Sequence, residues 1–329
     1  MERVISGIRP TGNLHLGNYF GAVKSFVQMQ NEYDCMFFIA DWHSLTTHPK
    51  PENIRNSART ILCEYLACGI NPEIAPIYVQ SDVKQVLELY LYLNMNAYLG
   101  ELERVTSFKD KARKQPDNVN AGLLTYPTLM AADILMHKAD KVPVGKDQEQ
   151  NMEMARLFAR RFNRIYDVDY FKEPESFYFN AKAVKVPGLD GSGKMGKSEG
   201  NCIYLCDSEE VIRKKVMRAV TDAGPTMLNQ EKPEVIQNLF TLMDLVSDKQ
   251  TYDYFNDQYN NMAIRYGDMK KQLAQDINAF CAPIREKIVA YQNDDEYLAK
   301  VLRLGAERAS ERAEKTLEDV RQIIGFRRI

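Results

Sequence analysis

The sequence predicts an α/β protein: a doubly wound, parallel-sheet nucleotide-binding domain of Rossmann-like form, followed by an α-helical C-terminal domain. Three observations carry this. Short apolar runs at Val4–Ile5, Cys35–Asp41 and Ile74–Gln80 alternate with helical patterns. A turn punctuated by Gly7, Pro10 and Gly12 joins the first run to a helix. From Asp207 onward the apolar spacing is helical only. The first domain is expected over 1–186, with a basic insertion at about 102–119, and the second over 187–329.

A chain of 329 residues is long enough for a sizeable core and two domains. Apolar content of 45% and charged content of 27% are those of a soluble globular protein. The formal charge of −2 excludes a broadly basic nucleic-acid coat, so RNA contact would have to come from local patches. The chain enters a strand almost at once, without a signal-peptide core, and no apolar run is long enough to span a bilayer. Six cysteines show no zinc spacing, which points to reduced thiols, a cytoplasmic location and no protein-held metal.

In chain order, Ile5 to Gly21 reads as strand, glycine turn and helix, with Leu16, Tyr19, Phe20, Val23 and Val27 on one face. Glycines admit phosphates to the backbone and the free N–H groups of a helix start point at them, so this is a candidate anion site. His15 and Asn18 lie in its first turn as neutral donors. Cys35–Asp41 is a strand covered on both faces, and Ile54, Ala58, Ile61, Leu62, Tyr65 and Leu66 mark a helix stopped at Gly69. Ile74–Gln80 returns as a strand. Ligands of such sheets lie at the strands' carboxyl ends: the turn after Ile5, Ala40–Ser44, and Gln80–Ser81.

Between Leu102 and Val119, Arg104, Lys109, Lys111, Arg113 and Lys114 read as a solvated connection or as a mobile basic loop. Thr125–Met136 follows as a helix that places Met130, Asp133 and His137 on one face, with Tyr126 just before it. Asp133 stands alone in an apolar run and needs a donor, because an unpaired buried charge is very costly. Val142 and Val144 share one face of a short strand, and Gly145 opens a second anion turn with Lys146, Asp147 and Gln148.

Gly191-Ser192-Gly193-Lys194-Met195-Gly196-Lys197-Ser198 fits the P-loop pattern, which would suggest a kinase or nucleoside triphosphatase. A P-loop needs a buried strand before it and a helix directly after it. Here Pro187 ends the upstream run, Glu199–Leu205 reads as a turn and short strand, and the next helix is announced only at Asp207–Glu210. Helices are expected over 211–220, 235–246, 262–291 and 295–324. In the last of these, i, i+4 mixing of acids and bases reads as a solvated face.

Pro10-Thr11-Gly12-Asn13-Leu14-His15-Leu16-Gly17-Asn18 resembles the HIGH signature of class I aminoacyl-tRNA synthetases, with Asn18 for its second histidine. Lys194-Met195-Gly196-Lys197-Ser198 resembles their KMSKS signature, with Gly196 for the first serine. Ala40–His43, the segment around Tyr126–Leu135 and Val142–Gln148 extend the resemblance, over nearly the whole chain, to bacterial-type tryptophanyl-tRNA synthetases.

That resemblance implies tryptophanyl-adenylate formation from L-tryptophan and ATP with Mg²⁺ bridging the phosphates, then transfer to tRNA(Trp), in a homodimer. It implies His15, Asn18, Lys194 and Lys197 as catalytic residues. ATP would meet Arg9, Pro10, Thr11, Gly17, Asn18, Lys111, Gly145, Lys146, Asp147, Val186 and Lys194 to Ser198, including Met195 and Gly196. Tryptophan would meet Ile5, His43, Tyr126, Met130, Asp133, Val142, Val144 and Gln148. Residues 187–329 would hold the KMSKS-like loop and a helical tRNA-binding domain. Ile5, Arg9, Lys146, Asn151 and Gly196 depart from the family pattern. The rivals are a tyrosyl-tRNA synthetase and, from another class, a P-loop kinase.

Overall fold

The computed structural model describes residues 1–145, 148–177, 186–191 and 193–326. Five strands form one sheet in the order β3-β2-β1-β4-β5: β1 Arg3–Ile8, β2 Asp34–Ile39, β3 Ile77–Val79, β4 Lys141–Pro143 and β5 Glu175–Phe177. Every pairing is parallel, with Val4 opposite Cys35 on one side of β1 and opposite Lys141 on the other. The chain winds from β1 outward to β3, then returns to β1's other flank at β4. A crevice therefore opens where β1 and β4 end, the position at which doubly wound sheets bind ligands.

Strand alternation divides the core between the two faces of this sheet. Val4, Phe37 and Ile39 join the core shared with helices Pro51–Ala67 and Tyr266–Gln292; Ile5, Met36, Phe38 and Tyr78 face helices Gln85–Met95, Tyr126–Met136 and Glu149–Tyr166. Gly7 is required at the end of β1, because a Cβ there would lie 2.4 Å from the Phe38 ring.

Several expectations change. The third strand covers only Ile77–Val79, since 71–75 turn back on themselves and Ile74 is exposed. The basic insertion is not a loop: it holds a helix, Thr106–Lys114, and a 3-10 turn, Pro116–Asn118. The first helix is α-helical at Leu16–Asn18 and Lys24–Met29 and π-helical at Tyr19–Val23 between them. The C-terminal helices are Glu209–Met217, Glu234–Val246, Lys249–Asn260, Tyr266–Gln292 and Asp295–Ile323, of which Lys249–Asn260 was not expected separately.

The final helix is not simply a solvated rod. Gly305 sits so close to β3 that a Cβ would meet the Ile77 carbonyl oxygen at 1.9 Å, while Ala309, Ala313, Leu317 and Val320 enter the second core. Its bases are spent partly on the first domain, with Arg312 2.8 Å from Asp34 and Arg321 2.6 Å from Glu88. Arg303–Glu307 and Lys315–Glu311 keep the expected i, i+4 form. All six cysteines are free. Among the described residues no helix is long and apolar enough to cross a membrane.

Candidate active site

The first signature turn is fastened from several directions. His15 is the N-cap of the first helix: its Nδ1 accepts from the Asn18 N–H at 3.3 Å, and Asn18 Oδ1 accepts from the His15 N–H at 3.1 Å. This reciprocal capping box leaves the His15 proton on Nε2, available to a ligand. His15 is buried, so its side chain serves the helix start as well as any ligand. Burial, aided by Lys197 and Lys194, pushes its pKa down to about 4, so the ring is neutral at pH 7. Gly17 is required beside it, because a Cβ there would lie 2.8 Å from the His15 ring.

Below the turn lies Glu64, fully buried in helix Pro51–Ala67, accepting from the Leu14 N–H at 2.8 Å. Burial raises its pKa to about 8, with the Leu14 bond and Lys197 opposing. Sequence reading passed over this acid, although it shows the same signal as Asp133, a lone carboxylate inside an apolar helical face. Residues 203–205 close against the turn through Leu16 N–H to Ile203 O (3.0 Å) and Leu205 N–H to Leu14 O (3.0 Å). The strand expected there is a single antiparallel bridge between His15 and Tyr204.

The second signature hangs on two anchors. Met195 is buried in the core and its N–H donates to Val186 O at 2.8 Å. Asn201 accepts from the Gly196 N–H at 2.9 Å and donates to Lys194 O at 3.2 Å. Gly196 leaves room for the Glu199 carboxylate, which a Cβ would meet at 2.0 Å. Lys197 reaches across to the first signature, its Nζ 2.9 Å from Gly12 O, while Lys194 and Ser198 are exposed. Turns, not a helix, follow Lys197, and the next helix begins at Glu209, so this is no P-loop. Lys146, Asp147 and Ser192 lie outside the described residues.

The crevice between β1 and β4 is a cleft of about 320 Å³. All eight residues expected around the amino acid line it, as do Arg9, Asn18 and Gly145 from the nucleotide set. Asp133, 3% exposed, is the acid in its wall. His43 Nε2 lies 2.8 Å from its Oδ2, and Gln80 Nε2 lies 2.8 and 2.9 Å from Oδ1 and Oδ2. Burial raises the Asp133 pKa, and the bonds from His43 and Gln80 oppose that rise. Gln80 was placed at a strand end by the sequence but not assigned to the site.

The insertion meets this cleft at Tyr126. Lys111 Nζ stands 3.5 Å above the Tyr126 ring, whose centroid is 4.6 Å from that of His43. Burial, then Arg9, lowers the Lys111 pKa to about 8. Asn151 donates to Gln148 Oε1 at 2.8 Å and accepts from Ser107 Oγ at 3.3 Å, so it ties the insertion to a residue of the cleft.

The arrangement is thus an apolar slot with one buried acceptor, between the turn that follows β1 and the end of β4, with the Lys194–Ser198 loop against the first turn. Known proteins agree with it. The family of class I tRNA synthetases (W and Y) matches residues 1–282. The chain is 72% identical to tryptophan--tRNA ligase of Porphyromonas gingivalis, over 99% of this chain and 100% of that protein. It is 40% identical to the same ligase of Rickettsia conorii, over 99% of each. The crystal structure of Campylobacter jejuni tryptophanyl-tRNA synthetase complexed with ADP and tryptophan superposes with a TM-score of 0.88 at 34% identity, covering 98% of this chain and 99% of that one. The chain belongs to the class I tRNA synthetases of the tryptophan and tyrosine family.

Proposed function

We propose that this chain is a tryptophan--tRNA ligase, joining L-tryptophan to tRNA(Trp) through tryptophanyl-adenylate and releasing AMP and pyrophosphate. The observation that carries the substrate assignment is Asp133. An indole N–H is a donor only, and Asp133 offers a charged acceptor inside otherwise apolar walls of Ile5, Met130, Val142 and Val144. The relatives' names point the same way and against tyrosine.

The tryptophan carboxylate attacks the α-phosphorus of ATP and pyrophosphate leaves. Such a step needs in-line positioning and charge stabilisation more than proton transfer. Tyr126 and Gln148 hold the amino-acid end. Arg9 and Lys111 bring positive charge to the developing phosphoryl charge, and neutral His15 donates from Nε2. Lys194 and Lys197 close on pyrophosphate; Lys197 exchanges its Gly12 carbonyl for phosphate oxygens. Pro10, Thr11, Gly17, Asn18, Gly145, Lys146, Asp147, Val186, Met195, Gly196 and Ser198 complete the ATP contacts. Among the described residues no cluster of His, Cys, Asp or Glu could hold a metal, so Mg²⁺ would arrive with ATP and would supply charge neutralisation at the phosphates.

The division at 1–186 and 187–329 sets the nucleotide-binding domain apart from a second part that carries the KMSKS-like loop, which serves activation, and the helices that bind tRNA. The protein works in the cytoplasm as a homodimer. An exposed stripe, Leu87, Leu91 and Met95, spaced by one helical turn and continued by Tyr98 and Leu99, supports a second copy as its cover. Amino-acid-dependent exchange of pyrophosphate into ATP tests the activity. Tryptophan alone among twenty amino acids should drive it; exchange driven best by tyrosine, or phosphate release without any amino acid, would overturn the reading.

A further inference from the structure

Asp133 is only as useful as its orientation, and the structure places a dedicated side chain behind it. Gln80 is buried at the carboxyl end of β3, with its amide nitrogen facing both oxygens of Asp133. The amide must point its nitrogen this way, because an ionised carboxylate only accepts. Gln80 therefore leaves its own Oε1 buried without a hydrogen-bond partner. An orphaned buried acceptor is costly, and the contact to Asp133 is what the amide gains in exchange.

Gln80 is one of two clasps along the same seam. Tyr78, two residues earlier on the strand, has its hydroxyl 3.0 Å from His137 Nε2, one helical turn after Asp133. Two residues of strand advance about 6.6 Å and four residues of helix about 6.0 Å, so both clasps close together without distortion. The seam fixes the helix against β3 at the depth of the cleft.

An ionised carboxylate has about four lone-pair positions. His43 and Gln80 direct three contacts at Asp133, two on Oδ2 and one on Oδ1. The open position is on Oδ1. A ligand with a single N–H donor fills it. A phenol hydroxyl can donate there too, but its own lone pairs would then lie against the apolar walls of Ile5, Met130, Val142 and Val144, which offer no donor.

We propose that Gln80 is a specificity-positioning residue: it fixes the plane of the Asp133 carboxylate and leaves one acceptor position, on Oδ1, for the indole N–H. This rests on reading Asp133 as the indole acceptor, and the experiment separates the two ideas. Gln80→Met keeps the length of the side chain and removes the donor. Pyrophosphate exchange is measured with tryptophan and with the alanine derivative of benzothiophene, in which sulfur replaces the indole N–H.

Gln80→Met should lower kcat/KM for tryptophan about tenfold, the effect of one weakened charge-assisted hydrogen bond. The loss should fall on KM for tryptophan with KM for ATP unchanged, and the benzothiophene substrate should lose less than about twofold. In an Asp133→Ala background the same substitution should add no further loss of selectivity, since the two residues act as one unit. If Gln80→Met fails to fold, Gln80→Asn, which withdraws the amide by one methylene, is read by the same ratio. Equal losses for both substrates, or no loss for tryptophan, overturn the inference. If Asp133→Ala itself loses equally toward both substrates, the indole reading of Asp133 fails first. If Asp133→Ala discriminates and the Gln80 variants do not, only the role of Gln80 is refuted.

Discussion

Glu64 gives the structure's most quantitative test. Its carboxyl is fully buried under the first signature turn, and burial lifts its pKa from 4.5 to about 8. A carboxyl raised on folding binds its proton more tightly in the native state. Its contribution to stability is therefore fully present below pH 4.5 and is lost as the pH rises through about 8. Each pH unit in that window costs about 1.4 kcal/mol, so the full interval amounts to ~5 kcal/mol. Glu64→Gln retains an oxygen to accept from the Leu14 N–H and cannot ionise. Urea unfolding of both proteins from pH 5 to 9 reads the difference. The variant should gain on the wild type by about 1.4 kcal/mol per pH unit up to about pH 8, then hold a constant lead. Activation at pH 7 should stay near the wild-type rate, because the turn keeps its bond. Stability curves that run parallel from pH 5 to 8 would falsify the account of a buried, protonated Glu64.

Other expectations follow from the same geometry. Lys194→Ala and Lys197→Ala should each slow single-turnover adenylate formation far more than they weaken tryptophan binding, because pyrophosphate charge develops during reaction; a P-loop would need only Lys197. Lys111 loses its charge as the pH rises through about 8, so KM for ATP should increase above that pH. Lys111→Ala should show a high KM throughout, and a wild-type KM flat from pH 7 to 9 would contradict the placement. His15→Ala should slow activation and also cost roughly 0.5–2 kcal/mol in thermal or urea unfolding, the range for a lost helix cap. A rate loss without any stability loss would mean the capping box contributes nothing.

How much of this was legible in the sequence depends on the range of the interactions involved. Local signals were enough for the fold class, because strand runs such as Cys35–Ile39 and helical faces such as Ile61–Leu66 encode their own burial. Glycines marked the first turn, since only a glycine backbone fits beside His15 at Gly17 or beside Phe38 at Gly7. Asp133 was visible for a similar reason: a charge inside an apolar run is costly enough to need an explanation.

What the sequence left open depended on contacts between distant segments. Nothing local says that Gln80 and His43 meet Asp133, since they are separated by 53 and 90 residues in the chain. Asn151 and Asn201 are ordinary residues until the insertion and the lysine loop are folded against them, and Glu64, although a lone carboxylate in an apolar face, has no named partner until the first turn closes over it. The insertion reads as a solvated charge run because its helix buries no side chain fully, and its order comes from docking on Gln150, Asn151 and Tyr126. The last helix looks solvated for the same kind of reason. Its bases alternate with acids along the chain, but Gly305 and Arg312 meet β3 and Asp34 only after the chain has returned to its beginning. Sequence periodicity records which face of an element is buried; the partner on that face is chosen by the tertiary fold, because the hydrophobic drive to bury a surface is non-directional and the hydrogen bonds that give it direction are not.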